Sequence, residues 1–452
     1  MNNKEQIMDK NDVRIEDMFT ESSLFQSYLD VEAALAKAQA KIGVIPKEAA
    51  DKIASLAKLE LLDIEAIHKG LVITGHGLVP LIWELDRICG PEAGGYIHWG
   101  ATTQNITQTA KLLIIKQSHS LLLNDLGKLL VILADIAENS KNFVMPGRTH
   151  GQHAVPVTFG YKVAVWIDEL VRHVERLKNC EPRVFVTMLG GGAGTLASVG
   201  MQGLHTQELM AESLGMSSMS LPSRTIRDHL AEYVLLLGML AATSTKIARE
   251  IYTLMKQEFG EVEETITPGQ VGSSTMPQKR NPRRSQRIIS TSARIKALVP
   301  LSLESMQEEH EADASGHHMI DAALDEVCIL TSKNITSFID LFSGLQLFPD
   351  RMRENLELSG GLIMSEQIML ELGNEMGRQK AHDVVYDAAQ KSVNESRPFR
   401  ETLAEEHDVT SRLSTAEIET LLDPEKYTGL CEYFAETFAR KGREIAALIT
   451  TK

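Results

Sequence analysis

Apolar residues recur three or four positions apart through much of the chain. Between Ile106 and Ala137 they fall at Leu112, Ile115, Leu122, Leu126, Leu129, Leu133 and Ile136, the spacing that lines one face of an α-helix. A second stripe runs through Phe159, Val163, Trp166, Leu170, Val174 and Leu177, with Pro156 ahead of it as a natural first-turn residue. From Ile226 to Phe259 only Gly238 interrupts a run free of glycine and proline; at ~1.5 Å per residue that helix would be about 50 Å long. Helices of this length need apolar partners along their whole extent, so the pattern predicts a bundle extended by other subunits. No alternating run bounded by turn residues predicts a strand. Glycine and proline punctuation falls between the long segments and divides the chain into a helical N-terminal domain (1–105), a central long-helix bundle (106–350) and a shorter-helix C-terminal domain (351–452). The expected fold class is all-α.

Composition narrows the function without naming it. Apolar residues make up 43% and charged residues 24% of 452, the balance of a globular chain. Sixty-one acidic against 46 basic residues give a net charge of −15, which disfavours a nucleic-acid partner because phosphates need a positive field. A local cluster of cations still allows a small anionic ligand. The four cysteines are scattered, with no CxxC pair, as expected of a reducing compartment rather than of a disulfide framework or a zinc site. The polar stretch from Met1 to Asp17 has no signal-peptide core, and the oily runs look too broken to span a bilayer. A cytoplasmic location, with no membrane partner, is expected.

Chemistry concentrates in Gly272-Ser273-Ser274-Thr275-Met276-Pro277-Gln278-Lys279-Arg280-Asn281-Pro282. Glycine and small hydroxyl residues let a backbone bend around a ligand and aim N–H groups inward. Lys279 adds a point charge, and Asn281 a donor and an acceptor. Arg280, Arg283, Arg284 and Arg287 read as the exposed face of a following helix. His150 and His153 could be a metal pair or polar helix-start residues, but no third ligand or HExxH accompanies them. His317 and His318 are adjacent and point apart on a helix, so they read as surface or local packing. The run Gly190 to Gly194 lacks the Lys-Ser/Thr of a phosphate loop.

The Gly272–Pro282 string resembles GSSxMPxKxNP, the hallmark of the fumarase/aspartase superfamily. Gly147 to Gly160 resembles the GRTHxQHAxPxTFG stretch of adenylosuccinate lyases and cycloisomerases, and His98 to Asn105 their HxGxTSxD stretch. Leu29–Ala36, Gln307–His310, Met352–Leu356 with Ser359–Leu362, and Leu422–Leu430 look most like bacterial 3-carboxy-cis,cis-muconate cycloisomerases. The RYxxxEM nucleotide-phosphate motif is missing near residue 15.

The resemblance implies a homotetramer whose central bundle brings the three blocks together from different subunits, with no metal or cofactor. It implies Ser273 as base and His150 as general acid. Thr149, Thr102, Thr103, Gln104, Lys279, Asn281 and Ser274 are implied substrate ligands, with His98 and His76 facing the same cavity. Removing a proton beside a carboxylate puts a second negative charge on an anion, so fixed charges and hydrogen bonds are the main need. A serine acts as base only where a closed loop stabilises its alkoxide, and histidine titrates near neutrality.

Three departures stand out: Asn105 for an usual Asp, Gln278 for a common His, and Gln286 where many relatives place a Glu that orients the catalytic His. His76 replaces an Asn expected of a cycloisomerase. The implied reaction is elimination or addition on a di- or tricarboxylate, as in the carboxymuconate cycloisomerases. The alternatives are a C–N lyase or epimerase acting on an N-substituted aspartate such as adenylosuccinate or iminodisuccinate, and a non-catalytic relative.

Overall fold

The structure, a computed structural model, describes residues 14–266, 269 and 273–450. Five long helices carry it: α1 (Thr103–Asn139), α2 (Phe159–Val184), α3 (Asp228–Leu254), α4 (Arg283–Glu304) and α5 (Ala314–Phe342). The two apolar stripes lie inside. Leu112, Ile115, Leu122, Leu126, Leu129 and Leu133 of α1 are at most 2% exposed, and the six stripe residues of α2 at most 3%.

Three expectations need correction. Pro156 does not open a helix, since α2 begins at Phe159 and Pro156 lies in a strand. The third helix is shorter than the Ile226–Phe259 run, because the chain turns after Leu254. That same helix is long and apolar enough to cross a bilayer, contrary to the reading of broken oily runs, although 56% of its most apolar window is buried in the protein.

The largest sheet element is a hairpin of β1 (Val144–Thr149) and β2 (Gln152–Thr158), which the pattern did not predict. Met145 pairs with Val157 and Pro146 with Pro156, and the register then slips before Arg148 and His153. Gly147 sits at the slip, where a Cβ would meet the Val155 carbonyl oxygen at 2.5 Å. Two opposed prolines supply no ladder N–H, so alternation and propensity say little here.

Contacts divide the chain into two compact units. The first takes the residues up to Leu123, His173–Ala242 and Thr291–Asn334; the second takes Asn124–Arg172, Thr243–Ser290 and the chain from Ile335. In the first, Leu29 and Leu35 of the helix Glu21–Lys41 pack with Ile53, Leu81, Leu85 and Ile106. Gly238 is the lone glycine of α3 because α4 comes close there: a Cβ would lie 2.5 Å from a Val299 methyl. In the second unit, Ile368, Leu372, Phe399 and Leu403 form a C-terminal core, and Trp166 packs against Phe159 and Phe342.

His229, in the first turn of α3, is buried, and its Nε2 has no partner among the described residues. Burial pushes its pKa down from 6.5 to about 4. On acidification the unfolded chain therefore takes up this proton first, and stability falls between about pH 6.5 and pH 4. The span corresponds to about 3 kcal/mol. Urea unfolding of wild type and His229→Asn at pH 7 and pH 4.5 should show a smaller acid loss in the variant. Equal losses in both proteins would remove His229 as a source of the pH dependence.

Candidate functional site

The block from His98 to Asn105 lies in the first unit, where the chain enters α1. His98 has a left-handed backbone, φ 60°, and buried Glu32 holds it there. One Glu32 oxygen accepts the His98 backbone N–H at 3.1 Å, and the other lies 2.6 Å from Nδ1. With Nδ1 tied to the carboxylate, Nε2 is the ring nitrogen left for other contacts. His76 is oriented the opposite way. Its Nδ1 accepts the Leu78 and Val79 N–H groups at the start of the helix Val79–Cys89, and its Nε2 lies 3.3 Å from the Thr103 hydroxyl. Nε2 therefore carries the proton and donates to Thr103.

Asn105 is fully buried. Its Oδ1 accepts from the backbone of Thr102, Gly190 and Gly191, at 3.1, 3.4 and 3.1 Å. An aspartate could take the same three donors, but the amide brings no charge and leaves Nδ2 without a partner among the described residues. The glycine run 190–194, assigned no chemistry from the sequence, is thus the wall against which the start of α1 is set. Gln104 is buried and engaged at both ends of its amide: Nε2 donates to the Arg224 carbonyl and to Gln108, and Oε1 accepts from Arg224 Nε. Arg224 was not found from sequence. It lies 120 positions from Gln104 in a short connection with no motif of its own.

The hairpin block lies in the second unit. Thr149 and His150 occupy the exposed tip, with His150 at φ 53° and Gly151 at φ 78°. Neither side chain has a partner among the described residues. Arg148 anchors the base of the tip. Its guanidinium forks onto buried Glu261 at 2.6 and 3.1 Å and lies over the Phe259 ring. Asn355 donates to the same carboxylate at 2.7 Å and to the Phe259 carbonyl. Burial and the nearby Arg148 charge hold His153 below the ordinary imidazole range. The described residues contain no group of three potential metal ligands.

The signature loop leaves from Glu264. This buried carboxylate accepts the Arg284 and Ser285 N–H groups and the Ser285 hydroxyl, at 2.8, 2.9 and 2.7 Å, which satisfies the start of α4. Arg284 also donates to the Thr265 carbonyl at 2.6 Å. Both ends of the loop are therefore tied at one place. Arg283 and Arg287 lie on the exposed face of α4, as expected. Arg284 latches the loop, and Arg280 precedes α4 and pairs with Glu263 at 2.6 Å. Pro268 and Gly272 lie outside the described residues.

The Ser273 hydroxyl oxygen accepts the N–H groups of Thr275 and Met276, at 3.3 and 3.1 Å. Ser274 is exposed beside it. Gln278, Lys279 and Asn281 line a cavity of about 750 Å³, with Tyr252, Lys256 and Phe348 on its other walls. Ser273 and Ser274 do not line it. No carboxylate pairs with the Lys279 ammonium among the described residues. Gln286 is exposed on α4.

The sequence profile of a lyase family matches residues 5–296. This chain belongs to the fumarase/aspartase superfamily. A second profile, the adenylosuccinate lyase C-terminus, matches residues 361–438. The N-acetyl-S-(2-succino)cysteine lyase of Enterococcus italicus is 40% identical over 89% of this chain and 88% of its own. The adenylosuccinate lyase of Methanocaldococcus jannaschii is 39% identical over 91% and 90%. Among solved structures, a 3-carboxy-cis,cis-muconate lactonizing enzyme from Pseudomonas putida superposes with a TM-score of 0.85 at 33% identity, covering 97% of each chain. The chain is therefore an enzyme of the superfamily's lyase and cycloisomerase branch, with its all-α fold, and the non-catalytic reading is set aside.

Proposed function

We propose that this enzyme cleaves a 2-substituted succinate, a C–N or C–S adduct, by β-elimination to fumarate and the free amine or thiol. Ser273 takes the proton from the carbon next to one carboxylate, and that electron pair becomes the new double bond. The bond to the substituent breaks, and His150 protonates the departing atom. The observation that carries this reading is the Ser273 hydroxyl, whose oxygen already accepts two backbone N–H groups. Those donors favour the alkoxide over the neutral hydroxyl, which is what a serine base requires. Lys279, Asn281 and Thr149 hold one carboxylate and stabilise the dianion; Thr102 and Thr103, brought from another subunit, hold the second, with His98, His76 and Ser274 facing the same site of the assembled tetramer.

The 2-succino compound in the name of the Enterococcus relative supports a succinyl adduct as substrate. Lactonisation of a carboxymuconate is the second reading, favoured by the likeness to the Pseudomonas putida enzyme. Fumarate absorbance measured against a panel of N-succinyl and S-succinyl amino acids, with carboxymuconate alongside, separates the two. Fumarate release is expected. Turnover of carboxymuconate alone would replace the lead with the second reading.

The same proposal includes a cytoplasmic homotetramer built on the long helices, with neither nucleic acid nor membrane as partner. Val131, Val165, Met239 and Leu303, on four of those helices, are apolar and 36–45% exposed, as faces awaiting another subunit are. Four free, buried cysteines suit a reducing compartment. The division into 1–105, 106–350 and 351–452 belongs to this proposal too.

A further inference from the structure

Resting on the succinyl-adduct reading, we infer that Arg224 selects substrates bearing a third carboxylate, beyond the two of the succinyl part, and that Gln104 positions it. Arg224 is held in place by neutral groups. Its Nε donates to Gln104 Oε1 at 3.0 Å and its Nη1 to the Gly192 carbonyl at 2.7 Å. Gln104 Nε2 donates back to the Arg224 carbonyl at 2.7 Å, so one buried amide grips both the backbone and the head of the same residue. Nη2 has no partner among the described residues.

The contrast with Arg227, three residues on, decides how to read this. Arg227 is buried and ion-paired with buried Glu308. Arg224 has no carboxylate within ion-pair distance among the described residues, in a chain with 61 acidic side chains. Carbonyl partners fix the guanidinium without neutralising it, which keeps a directed fork of donors available to an anion. Asn105 adds to this. Its Oδ1 takes Gly191 N–H while Gly192 takes Arg224, so one short loop joins the two residues. An amide there, in place of a carboxylate, leaves the Arg224 charge without a nearby competitor.

The placement changes the role given to Gln104. Its donors and acceptor are already engaged within the protein, so it reaches the substrate only through Arg224. Arg224 supplies the positive charge that Thr102, Thr103 and Gln104 lack.

The test is a cycle of two proteins and two ligands, read by calorimetry. Tricarballylate, a tricarboxylate, is titrated into wild type and into Arg224→Gln, and so is tricarballylate with a terminal carboxylate converted to the amide. Arg224→Gln should weaken tricarballylate binding about 100-fold and change binding of the monoamide less than about threefold. Arg224→Lys, which keeps the charge, should retain part of the preference. Equal weakening of both ligands means a structural role and overturns the inference, as does unchanged binding of both or no measurable binding of tricarballylate to wild type. Thermal unfolding of each variant shows whether it is folded, and the lysine variant decides the matter if the glutamine variant is not. Fumarate release is read separately, so a failed succinyl-adduct reading leaves the binding outcome interpretable.

Discussion

Ser273→Ala is expected to lower kcat about a thousandfold or more while changing KM only a few-fold. On the proposed mechanism the hydroxyl is needed for proton removal and contributes little to holding the substrate. The substrate carboxylates are assigned to Thr149, Lys279, Asn281, Thr102 and Thr103, which the substitution leaves in place. Local structure should also survive, because the loop is tied at its base by Glu264 and Arg284 and not by Ser273. The removed oxygen leaves the Thr275 and Met276 N–H groups to water on an exposed turn, so the stability cost is expected to be small. Steady-state kinetics with the native substrate, calorimetric binding to the inactive variant and a far-UV dichroism spectrum check the three parts. Near-normal turnover would reject Ser273 as the base and turn attention to Ser274. A kcat loss matched by an equal rise in KM would place the serine in binding.

Mixing two inactive variants should restore activity. If Ser273 and His150 reach each site from different subunits, Ser273→Ala and His150→Asn fail separately because every site lacks one group. After dissociation and random reassembly in equal amounts, about a quarter of all sites receive both intact residues, and roughly that fraction of wild-type activity should return. The geometry of one chain motivates the experiment. His150 stands on an exposed hairpin tip without a partner among the described residues, and Lys279 borders a cavity that Ser273 does not line. Light scattering should give four chains per particle. Proven subunit exchange without any recovery, or a fully active monomer, would defeat the shared-site proposal.

Fold class and motif blocks were legible in the sequence for different reasons. The stripes of α1 and α2 are local facts: a residue's neighbours three and four positions away share its face whatever the rest of the chain does, and all of those positions proved buried except half-buried Ile136. The blocks at 98–105, 147–160 and 272–282 were legible because their residue types are chemically constrained. The hairpin around His150 was not. Pro146 and Pro156 face each other in a short, slipped ladder, and its tip is anchored from outside by Glu261 and Asn355, more than a hundred positions away. Pro156 carried a true signal for a fixed φ, which suits an extended strand as well as a first helical turn.

By itself, then, the sequence determined the helical class, the apolar faces, the family and the list of chemical residue types, all properties of spacing and identity along one chain. Tertiary structure decided which of those residues remain available. Gln104, expected at the substrate, is occupied by Arg224 and Gln108. Arg284, expected as a bare surface charge, closes the loop at Thr265. Asn105, a departure in sequence, keeps three backbone donors satisfied while giving up a charge. A hydrogen-bonding group has few donors and acceptors, and whether a distant residue has already engaged them is set by three-dimensional proximity, which spacing along the chain does not encode.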